Sequence, residues 1–405
     1  MSRDPLGDRP VLARATDRVA RTGPALRTAA RGTHGPAWLR IDLGLLVGAL
    51  GLSLLGCVLV WSATRASAGG SAALKQLVAL AVGVGCAALV TRLDVRAVRA
   101  AAPVVYVLAV LGLVAVVSPL GSTVNGSRSW IRLPGGFSLQ PSELMKVALA
   151  IGLAMLLAER AERGLRQRSR DVVLAWVVAG LPVLLVLAQP DLGSALVLVT
   201  MSVVIIAAAG APVLWTAAVV VAGAAAVAAA FLTPVLSGYQ RNRLRAFLDP
   251  SLDPQGIGYQ TRQVRIAIGS GGLTGQGLFE GHQTQGGFIP FQETDFVFSV
   301  AGEELGFLGA AGLVVLIGFI VVRCLVVARR ADAFGRLVAI GVAMWFGVQA
   351  FENIGMNLGL MPVTGLPLPF VSSGGSSLIA SWIALGLVGN LAAGSDPRTR
   401  RLPSR

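Results

Sequence analysis

The sequence predicts an all-α integral membrane protein of about ten transmembrane helices, with both termini cytoplasmic. Three observations predict it. Ten runs of roughly 18 or more mostly apolar residues recur along the chain, the length that crosses about 30 Å of hydrocarbon. Arginines concentrate in every second segment between those runs. The composition is 54% hydrophobic and only 13% charged over 405 residues, with a mean hydropathy of +0.72, whereas a soluble domain carries about 25% charged residues.

The runs lie near residues 42–62, 74–91, 100–119, 142–158, 172–189, 191–209, 212–232, 299–327, 336–358 and 374–393. In hydrocarbon such segments must satisfy their own backbone groups, which makes them helices. Residues 1–40 carry eight arginines, from Arg3 to Arg40, and read as a disordered basic tail. Alternate loops hold Arg92, Arg96 and Arg99, then Arg160, Arg163, Arg166, Arg168 and Arg170, then Arg329, Arg330 and Arg336. The tail at 395–405 holds Arg398, Arg400, Arg401 and Arg405. This positive-inside pattern places the N-terminus in the cytoplasm. Residues 41–394 then form one polytopic domain. Its external side carries loops at about 120–141, 233–298 (the largest, between helices 7 and 8) and 359–375.

The charge of +14 follows membrane topology and anionic lipid headgroups. No basic stripe interleaves with stacking aromatics, so no nucleic-acid partner is expected. Cys57, Cys86 and Cys324 all sit inside apolar runs without metal-ligand spacing, and His34 and His282 are the only histidines. Residues 1–40 lack a cleavable leader pattern, so the first run reads as a retained span.

Four segments bring polar chemistry to the external side. The first is Asn125-Gly126-Ser127-Arg128-Ser129-Trp130-Ile131-Arg132, continued by Gln140-Pro141-Ser142-Glu143-Leu144-Met145-Lys146. Trp130 suits an interfacial anchor or a ligand contact. Arg128 and Arg132 run against the positive-inside trend and suit an anionic ligand. Pro141 fits the first turn of a helix. Glu143 and Lys146, three apart, share a helix face, as an intramembrane ion pair or the polar wall of a cavity. The second is Gln189-Pro190-Asp191-Leu192-Gly193-Ser194, where Asp191 reads as a helix cap.

The third is the large loop. It holds Arg241, Arg243, Arg245, Arg262 and Arg265, whose forks suit phosphate oxygens. Its run Gly269-Ser270-Gly271-Gly272-Leu273-Thr274-Gly275-Gln276-Gly277 lacks the GK[ST] ending of a nucleotide-binding loop and reads as turns of a re-entrant segment. It closes on Phe291-Gln292-Glu293-Thr294-Asp295-Phe296-Val297-Phe298, which sets Asp295 among aromatics at the membrane boundary. A carboxylate there is costly unless it is used, paired, or caps the next helix. The fourth runs from Met361 through Pro362, Pro367, Pro369, Gly374 and Gly375 to Ser376-Ser377. Its prolines and glycines predict a broken, non-helical segment. Such backbone at membrane depth needs protein or a wet cavity around it. Ser376 and Ser377 suit a helix cap or an oxygen-rich ligand. No GxSxG elbow supports a serine hydrolase.

In this order across ten runs, these segments resemble the SEDS (FtsW/RodA) family, over about residues 40–393. The wording Thr364-Gly365-Leu366-Pro367-Leu368-Pro369-Phe370-Val371 is nearer its elongation members, of the RodA type, than its division members. The resemblance implies a peptidoglycan glycosyltransferase of the inner (cytoplasmic) membrane that polymerises lipid II during cell elongation. It also implies a class B penicillin-binding protein, a transpeptidase, as partner. It places the essential acidic residue on Asp295 and the tryptophan of the family's Ser-Trp-Ile segment on Trp130. Two positions depart from the family pattern: Glu293 stands where the family has His, and Ser373 where it has an aromatic.

The mechanism implied is glycosyl transfer between two lipid-linked saccharides. Asp295 takes the proton of the acceptor hydroxyl. Arg128, Arg243 or Arg245, with a divalent cation such as Mg or Mn, offset the charge of the lipid diphosphate leaving group. No nucleotide is required, because the donor brings its own leaving group. The wider set of substrate-binding candidates is Trp130, Glu143, Lys146, Ser376 and Ser377. Two rivals remain: a flippase for the same lipid, using Glu143, Lys146, Glu303, Glu304 and Glu352, and an inactive scaffold for the transpeptidase.

Overall fold

The structure is a computed structural model that describes residues 42–124, 127–232 and 255–394, together with residues 247, 249 and 253. Its helices are α1 (Leu43–Ala68), α2 (Ser71–Val90), α3 (Val95–Val117), α4 (Pro141–Glu162), α5 (Ser169–Leu187), α6 (Leu192–Ala208), α7 (Val213–Leu232), α8 (Ile257–Ser270), the single turn α9 (His282–Gln285), α10 (Val297–Glu304), α11 (Gly306–Arg330), α12 (Ala333–Asn357) and α13 (Gly375–Gly394). Each apolar run carries a helix, and the run at 299–327 carries parts of two, α10 and α11. Eight helices are long and apolar enough to cross a membrane: α1–α5 and α11–α13. Helices α6 and α7 are apolar but shorter over their qualifying stretch. The two expected cytoplasmic tails and the first part of the large loop lie outside the described residues.

Local chemistry explains the helix starts. Asp42, Asp94, Asp191 and Asp332 each stand before a helix and accept a backbone N–H of its first turn. The expected cap at Asp191 is therefore present, and Pro141 opens α4 as its fixed φ favours.

Two features refine the all-α frame, which is as expected. The 120–141 loop carries a small antiparallel sheet. It is built of β1 (Ser122–Val124), β2 (Ser127–Leu133) and β3 (Phe137–Leu139) in the order β1-β2-β3. Ser122 pairs with Trp130, and Ile131 with Leu139. The alternation Ser127-Arg128-Ser129-Trp130 has the period of a strand. The run at 299–327 is also not one helix. It breaks between α10 and α11, at Gly306, whose φ of +67° is left-handed. The glycine-rich loop docks on that break: Gln276 and Gly277 donate N–H groups to the Glu303 and Glu304 carbonyls, at 3.0 and 3.1 Å. Phe307 and Leu308 donate back to Gly272 and Leu273, at 2.9 and 3.1 Å. Exchanged bonds of this kind satisfy backbone that the break would otherwise strand.

Helices α4, α12 and α13 form the centre. The apolar stretch of α4 is 83% buried, against 17% for α3, whose outer face is left for lipid. Helix α13 lies along α2, with Gly386 against the Ala87 backbone and no room for a Cβ. Close approach at small residues is the usual basis of helix packing in membranes. This frame carries the non-helical segment 358–374 and the loop 286–296 to the same end of α12.

Candidate active site

Asp295 sits at the end of a tight turn built around Phe291. The Phe291 carbonyl accepts the N–H groups of Thr294 and Asp295, at 3.1 and 3.0 Å. Phe291 itself has φ +58°, a conformation that costs a bulky residue roughly 1–3 kcal/mol and recurs where surroundings enforce it. Those surroundings are specific. Gln292 donates its amide to the carbonyls of Ala63 and Thr284, at 2.6 and 3.0 Å. The buried carboxylate of Glu303 accepts the Gln283 and Thr284 N–H groups and the Thr284 hydroxyl. The segment leading to Asp295 is thus fastened to the end of α1 and to α10.

The turn is also held from α12. The side-chain amides of Asn353 and Asn357 donate to the Asp295 carbonyl at 2.9 and 3.2 Å. Asn353 donates as well to the Leu366 carbonyl at 2.7 Å, and Gln349 to that of Pro367 at 2.8 Å. The 358–374 segment is non-helical, as expected of its prolines and glycines. It joins the Asp295 loop directly through the Ser373 N–H, which donates to the Glu293 carbonyl at 2.8 Å. The two departures from the family pattern are therefore neighbours at one seam.

Between these segments and β2 lies an open cavity of about 170 Å³. Ser127, Ser129, Trp130, Gln140 and Asp191 line it from one direction. Phe291, Thr294, Asp295, Thr364, Gly365, Pro367, Ser373 and Ser377 line it from the other. Asp191 serves twice: one oxygen caps α6 through the Ser194 N–H at 2.9 Å, and the other accepts the Gln140 amide at 3.4 Å. The cavity offers two carboxylates, hydroxyls, amides and an indole, a set suited to a hydroxyl-rich ligand and proton transfer.

Of the residues singled out from the sequence, the structure brings Asp295, Trp130 and Ser377 together here. Arg128 lies on the same strand, but its Nε donates to the Gly121 carbonyl at 3.1 Å and it does not line the cavity. Ser376 accepts the Gln140 N–H at 3.0 Å and donates to the Ser138 carbonyl at 3.1 Å, tying β3 and α4 to α13. Glu143 and Lys146 form a fully buried ion pair of 2.6 Å. Lys146 also donates to Gln349 at 2.7 Å and lies over the Trp345 ring, away from the cavity wall. Arg243 and Arg245 lie outside the described residues.

Gln140, Ser127, Ser129 and Thr364 stood in the segments read from the sequence but were given no role, and Gln349, Asn353 and Asn357 escaped that reading altogether. The last three had a signal, since polar amides spaced by four inside an apolar helix share one face and need partners. No cluster of three or more His, Cys, Asp or Glu side chains gathers as a metal site among the described residues. Asp191 and Asp295 do line one cavity, and they are the carboxylates that would hold a divalent cation there together with waters and phosphates.

Comparison with known proteins agrees with this geometry. A family model for FtsW, RodA and SpoVE proteins, described as "Cell cycle protein", matches residues 38–396. A probable peptidoglycan glycosyltransferase FtsW of Trichlorobacter lovleyi is 39% identical over 362 residues, 87% of this chain and 93% of the relative. The peptidoglycan glycosyltransferase MrdB of Escherichia coli is 35% identical over 357 residues, 86% of this chain and 93% of the relative. Among solved structures, the rod shape determining protein RodA of Thermus thermophilus is similar at a TM-score of 0.67 and 32% identity. It covers 89% of this chain and 99% of its own. A chain from a peptidoglycan synthase complex, reported for its coordination of polymerization and crosslinking, reaches 0.73 at 34% identity, covering 89% and 100%. The chain belongs to the FtsW/RodA/SpoVE family of cell cycle proteins.

Proposed function

We propose that this multi-pass inner-membrane protein is a peptidoglycan glycosyltransferase that polymerises lipid II at the outer face of the membrane. The observation that carries the reading is Asp295, half-buried and gripped through its own carbonyl, in a cavity that Trp130, Asp191 and hydroxyl side chains share. Relatives named peptidoglycan glycosyltransferase over nearly their full length support the chemistry.

The acceptor hydroxyl loses its proton to the Asp295 carboxylate as its oxygen bonds to the donor's anomeric carbon. The bond from that carbon to the lipid diphosphate breaks, and the diphosphate leaves with the electron pair. Arg128, Arg243 and Arg245 are the cations offered for that charge, and a divalent ion held by Asp191, Asp295 and the phosphates would add Lewis-acid stabilisation. A role in elongation rests on the wording of residues 364–371. A class B penicillin-binding protein as partner is supported by the likeness to a chain of a synthase complex reported for both polymerization and crosslinking.

One observation favours the transporter reading: Glu352, fully buried on α12, has neither carboxylate oxygen hydrogen-bonded among the described residues. Such an intramembrane acid is a hallmark of translocation paths. Purified full-length protein in liposomes carrying lipid II, with and without a transpeptidase partner, separates the readings. Glycan strands establish the polymerase. Lipid II that changes leaflet without forming strands establishes the flippase, and neither activity under both conditions favours the scaffold.

A further inference from the structure

Helix α12 carries three carboxamides one turn apart, Gln349, Asn353 and Asn357, all fully buried. A buried amide in an apolar helix is costly unless its hydrogens are used. Here each donates to a carbonyl of the two non-helical segments that wall the cavity, and Asn357 also donates within α12 to the Asn353 carbonyl at 2.8 Å. Asn353 is the central rung. Its Nδ2 has two hydrogens, and the Asp295 and Leu366 carbonyls take one each, at 2.9 and 2.7 Å. No other natural side chain of that size offers two neutral donors from one atom.

We infer that Asn353 is a positioning residue for the reaction, setting where the Asp295 carboxylate stands relative to the neighbouring Leu366 segment of the cavity wall. The inference rests on the reading of Asp295 as the base. Both carbonyls hang on one nitrogen of a rigid central helix, so the Asp295 loop and the Leu366 segment keep a fixed separation. Asn357 adds a second hold on the Asp295 carbonyl, and Gln349 extends the same face to Pro367 and to Lys146. A carboxylate displaced by about 1 Å forfeits about 100-fold in rate while leaving the rest of the substrate contacts in place.

The test is steady-state polymerisation of lipid II by the full-length protein in liposomes. Asn353→Asp keeps the side-chain volume, removes both donors and sets oxygen against the two carbonyls. Asn353→Ala serves as the second variant where the first fails to insert. The expected result is a kcat lowered about 100-fold, a KM within about threefold of wild type, and a displaced acidic limb of the pH–rate profile. A fall in kcat that only tracks the folded fraction, with the pH profile unmoved, assigns Asn353 a merely structural role and overturns the inference. Asp295→Asn is measured beside them. If it keeps wild-type turnover, the base assignment fails and the inference falls with it. If it is inactive while the Asn353 variants keep wild-type kcat, the positioning inference fails alone.

Discussion

Lys146 is hydrogen-bonded to Glu143 and Gln349 with no exposed surface on either member of the ion pair. Removing one charge of such a pair strands the other in an apolar interior. Lys146→Met should cost about 3–5 kcal/mol, read as a lowered thermal midpoint in detergent, whereas removing both charges with Lys146→Met and Glu143→Leu should recover most of it. A double variant no more stable than the single one would contradict this. At this scale the sequence was partly legible. Glu143 and Lys146 announce themselves by their spacing of three, and Asp295 by its aromatic setting. Asp191 was read only as a cap, because nothing local reveals that it also lines a cavity shared with distant segments. The partners Asn353 and Leu366 are separated in sequence from Asp295 by a whole membrane span, a pairing that only the fold creates.

The elements tell a similar story. The apolar runs foretell where the apolar helices lie, eight of them long enough to cross a membrane, because hydropathy and length decide that question. The break at Gly306 is invisible to hydropathy, since it depends on a backbone dihedral and on a distant loop. A Cβ on Gly306 would stand 2.2 Å from the Gly275 nitrogen, and its φ is left-handed as well. Gly306→Ala should therefore destabilise by about 2–3 kcal/mol or more, through overpacking and backbone strain together. It should also lower polymerisation, because the loop released from the break leads through α9 to the Asp295 turn. A variant with wild-type thermal midpoint and rate would sink this account of the break. The small sheet was missed because its strands are three to seven residues long and sit within a segment read as a loop.

For the whole molecule, arginine placement predicts which end faces out, and the cavity must open at that end for an external lipid-linked substrate. With Cys57, Cys86 and Cys324 replaced by alanine, a membrane-impermeant maleimide should label Glu280→Cys in intact spheroplasts. Arg163→Cys, on the loop between α4 and α5, should react only after permeabilisation. The reverse pattern would invert the topology and remove the proposed site from its substrate. Frame and site are thus legible to different degrees. Apolar runs and arginine bias are additive properties of the chain, whereas the cavity is made by segments from β2, the α5–α6 turn, the large loop and residues 358–374 meeting at one end of α12.

The most direct measurement is the rate at which Asp295→Asn, folded and inserted, polymerises lipid II in liposomes beside the wild type. Loss of the base predicts a fall of about 10²–10⁴-fold with lipid II binding retained. Turnover near the wild-type rate would contradict the assignment of Asp295 and, with it, the proposed chemistry of the cavity.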